Sequence, residues 1–201
     1  MKTQTLHQWS RILLAILGIS LVVSIFVPMW SIYLQAPQYP EGLAMYLWSH
    51  KITGDYAIIN GLNHYIGMKT IHEEDFWEFK ILPYALGFFA LLCFVTAFIN
   101  KKKWLYVTTI LFLIFGVAFM VDFYMWEYDY GHNLDPHAAI VVPGMSYQPP
   151  LIGFKQLLNF GAYSYPNIGG GIMMGVALIL VILAIIEIRS PKKDINLNAN
   201  L

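Results

Sequence analysis

Histidine and methionine recur in one short stretch of this chain, Asn63-His64-Tyr65-Ile66-Gly67-Met68-Lys69-Thr70-Ile71-His72. On a helix, His64, Met68 and His72 stand at i, i+4 and i+8 and form a single stripe. Imidazole with thioether is a donor set that suits copper, Cu(I) above all, and suits Mg²⁺ or Ca²⁺ badly. Met45, His50, His132, His137 and Met145 are further candidates of the same kind. Three ligands spread over two turns reach one ion only if the helix bends, which Gly67 would permit. The plain alternative is a packed interfacial helix whose His64 bonds a loop carbonyl. A second group, Asp129-Tyr130-Gly131-His132-Asn133-Leu134-Asp135-Pro136-His137, sets carboxylates beside imidazoles. It reads as a hard-metal site or proton relay, or as a turn held by capping hydrogen bonds. Asp122 lies near the end of an apolar run, where a carboxylate is costly and therefore a proton-relay candidate.

Four apolar runs position these residues: Ile12–Val27, Ile81–Ile99, Trp104–Trp126 and Ile168–Ile188. A bilayer crossing needs roughly 20 apolar residues at 1.5 Å each, so the first run must extend through Pro28–Leu34 to qualify. Eight of the twelve basic residues sit in three short segments: Lys2 and Arg11, Lys101–Lys103, and Arg189, Lys192 and Lys193. The positive-inside rule makes those segments, and both termini, cytoplasmic. The expected fold is an all-α membrane protein of a single domain, residues 1–201. Its helices cover about 12–34, 81–100, 104–126 and 168–188, and its ordered periplasmic loops about 35–80 and 127–167. The composition agrees: 58% hydrophobic, 12% charged, mean hydropathy +0.56. A soluble domain carries about twice that charged fraction. Phe26-Val27-Pro28-Met29-Trp30 lacks the small residues of a signal cleavage site, so the first helix is retained. Trp30 and Tyr33, and Trp104 and Tyr106, fall where aromatic belts belong.

Within the first loop, Gln35–Gly42 is a proline-rich turn, and Leu43–Trp48 alternates as a strand or an interfacial segment. Lys51–Asp55 reads as a hairpin-like turn, and Ile58–Ile71 as a helix weakened at Gly61 and Gly67. His72–Asp75 brings acids to the first turn of the second span. The third span runs on past the bilayer through an aromatic and acidic stretch to Gly131 or Asn133. Ile152–Phe160 reads as a short amphipathic helix, Gly169–Gly171 as a point of close helix packing, and Ser190–Leu201 as a solvated tail.

Several chemistries are absent. No histidine lies inside the spans and no CxxCH occurs, so neither b-type nor c-type haem is expected. Cys93, flanked by Leu92 and Phe94, is an inert buried thiol. Walker, GxSxG and HExxH motifs are missing, and the basic residues serve topology rather than nucleic acid. An enzyme acting alone is not indicated.

The runs Pro28-Met29-Trp30, Ala36-Pro37-Gln38-Tyr39-Pro40-Glu41-Gly42-Leu43 and Asn63-His64-Tyr65-Ile66-Gly67-Met68 resemble those of small four-helix membrane proteins. Those proteins accompany clade II nitrous oxide reductase in bacterial gene clusters, and the similarity extends along the whole chain. The resemblance implies a role in denitrification beside a periplasmic copper enzyme, in its attachment, maturation or electron supply. Only His64 and Met68 lie within the matching motif. The expected protein is thus an accessory subunit of the inner membrane, multi-pass, whose outer aromatics Tyr39, Trp48, Trp77, Trp126 and Tyr128 anchor a periplasmic copper reductase or a cytochrome c. A copper-delivery protein using His64, Met68 and His72 is the first alternative. A quinol-interacting subunit using Asp122 or Glu127 is the second.

Overall fold

The computed structural model describes residues 5–190, so Lys2, Lys192, Lys193 and the proposed tail beyond Ser190 lie outside the described residues. Helix α1 (Gln8–Ser24) leads into strands β1 (Trp30–Ala36), β2 (Tyr39–Leu47) and β3 (Ile52–Gly54), then α2 (Tyr56–Tyr65) and a 3-10 turn at Glu73–Asp75. Helices α3 (Glu78–Ile99) and α4 (Lys102–His132) follow, then β4 (Gly153–Leu157), β5 (Phe160–Pro166) and α5 (Ile168–Arg189). Three helices, α3, α4 and α5, are long and apolar enough to cross a membrane. The shorter α1, of 17 residues, packs against α3 and α5.

The bundle core is hydrocarbon: Leu14, Leu17 and Leu21 of α1 meet Leu86 and Phe89 of α3, Phe112 of α4 and Leu180 of α5. The outward faces are equally apolar, with Phe98 85% and Val117 65% exposed. A helix apolar on every side belongs in lipid. At one end of the bundle the chain buries a charge. Glu187 accepts from the backbone N–H of His7 at 2.9 Å and from the Ser10 hydroxyl at 2.6 Å, and its carboxylate lies 3.2 Å from Lys102 Nζ. Arg11 Nε donates to the Ala97 carbonyl nearby. The basic segments near Arg11 and Lys102 therefore gather at one end, as their charge pattern predicts.

At the other end the all-α expectation fails. Five strands form one antiparallel sheet in the order β3-β2-β1-β5-β4. The helix predicted over 12–34 stops at Ser24, before Pro28, and Trp30–Ala36 becomes the central strand. Alternation explains it: Trp30, Ile32 and Leu34 face inward while Tyr33 faces out. Likewise Leu43, Met45 and Leu47 are buried on β2. The predicted amphipathic helix over 152–160 is instead the β4–β5 hairpin, turning at Leu158 with φ 53°. The sheet's inner face packs on the projecting end of α4 and on α2, through Trp30, Met45, Phe123 and Tyr130. Trp30 Nε1 donates to Ser164 Oγ at 2.7 Å and its ring lies 5.1 Å from Phe123. The acids Glu73–Asp75 precede α3 rather than open it. Gly169 and Gly170 receive the α1–β1 joint instead of a helix, their N–H groups donating to the Pro28 and Met29 carbonyls.

Candidate functional site

The helix that would align His64, Met68 and His72 ends at Tyr65. Met68 N–H donates to Asn63 O at 2.9 Å and Gly67 N–H to His64 O at 3.3 Å, closing the helix as a Schellman turn. Gly67 sits at φ 79°, and a Cβ there would come within 2.8 Å of the Asp135 carbonyl oxygen, so glycine is required. The consequence is a split stripe. His64 is exposed, Met68 turns inward, and His72 is exposed with Nε2 bonded to Thr70 Oγ1 at 2.9 Å. His132 stacks on Tyr128 with ring centroids 3.9 Å apart, its Nδ1 against the Tyr128 carbonyl oxygen. His137 is exposed, 3.4 Å from Asp135. Its backbone N–H, then its ring, hold the Asp135 carboxyl below the ordinary carboxylate range. Among the described residues no three His, Cys, Asp or Glu side chains converge on a point where an ion could sit.

The predicted docking aromatics divide. Trp77 (59% exposed) and Tyr128 (49%) are surface groups. Trp48 is half-buried, its Nε1 donating to Thr53 Oγ1 at 2.8 Å while Lys51 lies 4.7 Å over its ring. Tyr39 and Trp126 are partly buried and pack against the core beneath the sheet. Asp122 is half-buried and shares a cavity of about 50 Å³ with Glu78 and Trp48.

The outer face of the sheet carries a row of aromatics. Tyr46, Tyr33, Tyr163 and Phe154 lie on four neighbouring strands, Tyr33 opposite Tyr163 and Tyr163 opposite Phe154. The Tyr33 and Tyr46 rings meet edge to face at 6.1 Å, and Phe154 and Tyr163 lie 4.6 Å apart. Beside them a shallow groove of about 410 Å³ is lined by Tyr33, Tyr163, Tyr165, Glu41 and Asp55. The neighbouring Tyr33 hydroxyl, then burial and the Asp55 charge, push the Tyr46 phenol up. Period-two alternation in Phe160–Pro166 is the sequence signal for this face.

The most unusual chemistry lies under the sheet. Helix α4 rises about 46 Å over its 31 residues, against about 30 Å of bilayer hydrocarbon, so its end from roughly Asp122 onward stands in the cap. There Phe123, Glu127, Tyr130 and Gly131 share the buried face of the helix. The Glu127 side chain is wholly buried and neither carboxyl oxygen has a hydrogen-bond partner. Burial pushes its pKa from the ordinary 4.5 to about 8, against a smaller downward pull from Lys155. The indole N–H of Trp126 and the hydroxyl of Tyr147 are also buried and unpartnered. All three side chains line one chamber of about 70 Å³ between the sheet, α2 and α4. Its remaining walls are mostly hydrocarbon and thioether, including Ile32, Met45 and Met68, with the buried Asn63 carboxamide among them. Tyr130, on the same wall, is already engaged: its hydroxyl donates to the Thr70 carbonyl at 2.8 Å, and burial pushes its pKa to about 12.

Tyr147 reaches the chamber because the segment after α4 lies directly on Gly131. A Cβ on Gly131 would come within 2.3 Å of the Gln148 backbone, and Tyr147 N–H donates to the Gly131 carbonyl at 2.9 Å. The sequence reading named Glu127 only beside Asp122 as a proton carrier. Its i+4 spacing from Phe123 and i−3 spacing from Tyr130 mark it as core-facing. Tyr147 carries no such signal, since it sits in a proline-rich irregular segment. No family model matches this chain, and neither a curated protein nor a solved structure does.

Proposed function

We propose that this chain is an accessory subunit of the bacterial inner membrane that holds a periplasmic copper redox enzyme, of the nitrous oxide reductase kind, or its cytochrome c donor. In this reading α1 is a fourth span, both termini are cytoplasmic, and the sheet forms a periplasmic cap that supports assembly or electron supply. The observation that carries it is the outer face of the sheet, where Tyr33, Tyr46, Tyr163 and Tyr165 stand beside Glu41 and Asp55. Tyrosines supply rigid contact area, and the two carboxylates favour a partner presenting lysine or arginine. Arginine would also stack on these rings. This face replaces Trp126 and Tyr39 as the docking surface. The copper-delivery alternative draws no support from the geometry, because the chain turn at Gly67 separates His64, Met68 and His72.

The test is direct binding between the nanodisc-embedded protein and a purified periplasmic copper reductase or c-type cytochrome. Binding should weaken at least tenfold between about 50 and 300 mM salt, as charge-steered contacts do. Replacing Asp55 by Asn with Glu41 by Gln should weaken it similarly at low salt, and Tyr33→Ser with Tyr163→Ser should abolish it. Binding that ignores all these changes would sink the proposal.

A further inference from the structure

Two local devices bring carboxylates to the tyrosine-walled groove on the outer face of the sheet. Strict alternation along β2 from the buried Leu43 would send Glu41 inward. The β1–β2 register slips between Leu34 and Ala36, so residues 40–42 all stand opposite Gln35, and Gly42 takes φ 78°. That bulge turns Glu41 out, where it is exposed and lines the groove. Asp55 arrives from the other side. Its backbone N–H donates to the Ala44 carbonyl at 2.7 Å, and its Oδ2 accepts from Ala44 N–H at 2.9 Å. Gly54 at φ 91° permits that approach, since a Cβ there would collide with the Ala44 carbonyl oxygen. Tyr33, Tyr163 and Tyr165 wall the groove, Tyr33 and Tyr165 being 39% and 41% exposed. Ala44, cross-strand from Tyr33, brings only a methyl group and leaves the space open. Among the described residues no lysine or arginine lines the groove, and neither carboxylate has a cation at ion-pair distance.

We propose that this groove seats an arginine side chain of the partner protein, its guanidinium stacked on the tyrosine rings and bonded to Asp55 or Glu41. The proposal rests on reading this face as the docking surface, and it names the residue that the face selects. Two carboxylates without a cation, set beside phenol rings, are complementary to positive charge. The shape of the charge then decides. The groove is shallow and open to water, so a strongly hydrated ammonium keeps its shell and gains little from the rings. A guanidinium is planar and weakly hydrated. It lies flat on a ring while its N–H fork reaches a carboxylate at the rim. Lysine offers the same charge without the plane, and citrulline offers the plane without the charge.

The experiment uses the full chain in phosphatidylcholine nanodiscs at about 20 mM salt, where surface charges are little screened. The probes are three end-capped tripeptides: Gly-Arg-Gly, Gly-Lys-Gly and Gly-citrulline-Gly. Saturation-transfer NMR reads each titration, with empty nanodiscs as the baseline. The arginine peptide should bind saturably with a Kd of about 1–10 mM, the scale that a few exposed ring and ion-pair contacts allow. The lysine and citrulline peptides should bind at least fivefold more weakly. Ala44→Val fills the groove without removing a ring or a charge and should weaken arginine at least fivefold. Asp55→Asn, which keeps an acceptor for Ala44 N–H, should weaken it at least threefold. Tyr33→Leu should weaken arginine at least threefold and change lysine less than twofold. Lysine or citrulline binding as tight as arginine would overturn the assignment. So would arginine binding indifferent to Ala44→Val in a chain whose thermal unfolding is intact, or no saturable arginine binding. A copper reductase or cytochrome that binds with the expected salt dependence while the arginine peptide does not would overturn the arginine seat alone. An arginine peptide that binds where neither protein does supports the seat and removes only that choice of partner.

Discussion

Replacing Glu127 by glutamine should erase a pH dependence that the parent protein carries. The carboxyl has an ordinary pKa of 4.5 when the cap is unfolded and about 8 when it is buried under the sheet. Below pH 4.5 both states hold the proton and no stability is lost. Between the two values the unfolded state releases it while the folded state keeps it, so stability falls by about 1.4 kcal/mol per pH unit. Above pH 8 both are ionised and the loss levels off. Integrated from pH 5 to pH 8 the loss is roughly 3–4 kcal/mol, on the order of 10 °C in unfolding midpoint for a chain of this size. The groups facing Glu127 from neighbouring elements are Lys155 on β4 and Tyr147 on the segment after α4. Tyr130 shares its own helix, and burial pushes its phenol up to about 12, above this window. Thermal unfolding of parent and Glu127→Gln proteins in one detergent, from pH 5 to 8, measures the difference. The parent midpoint should drop steadily and that of the variant should stay nearly flat, leaving the variant the more stable protein at pH 8. Parallel curves would refute the reasoning, because they would mean that Glu127 is solvated or partnered in the folded state.

Other perturbations follow from the same packing. Lys102→Met leaves Glu187 buried without its cation and should destabilise the bundle by about 3–5 kcal/mol, whereas adding Glu187→Met should recover most of that loss. Unfolding midpoints of the single and double variants decide it. Gly131→Ala forces the Gln148 backbone away from α4 and should cost about 1–3 kcal/mol, seen as faster proteolysis within residues 133–152 at unchanged helix content. By contrast, Lys69→Gln removes an ion pair with Asp129 whose members are 53% and 43% exposed, and should change stability by less than about 1 kcal/mol in the same melts.

The bundle was legible because lipid-facing helices need apolar residues on all sides, and runs such as Ile168–Ile188 announce themselves by length. The extension of α4 to His132 was legible too, through the acids interleaved with Phe123, Tyr128 and Tyr130. The cap was not. Trp30–Ala36 continues an apolar run without a change of composition, so its period-two pattern was absorbed into the preceding helix. A strand of 7 residues presents few repeats from which to recognise alternation. Leu43–Leu47 showed its alternation, but nothing local reveals that its partner is β1. For α2 the helix was recognised and its end was not: Gly67 was seen as a weak point, while the hydrogen bond from Asp135 N–H to its carbonyl depends on a segment far along the chain. The metal stripe fell with that helix end. Glu127 was visible as an acid but not as a buried one, since burial came from a sheet that had not been foreseen.

The order of the strands has a consequence for how the protein is made. The central strand β1 is synthesised early, and its hairpin partner β2 follows at once. The other neighbour, β5, is synthesised only after α3 and α4, Pro166 being the partner of Trp30. Until then one edge of β1 presents unpaired backbone donors and acceptors beside Trp30 and Ile32, a template for pairing with the wrong chain. The sheet closes last, when β4 and β5 add to the free edge of β1, and the segment carrying Tyr147 is laid down only then. Assembly of the cap is therefore a late, long-range event, and a chain halted after α4 would display an open edge where the finished protein has a paired strand.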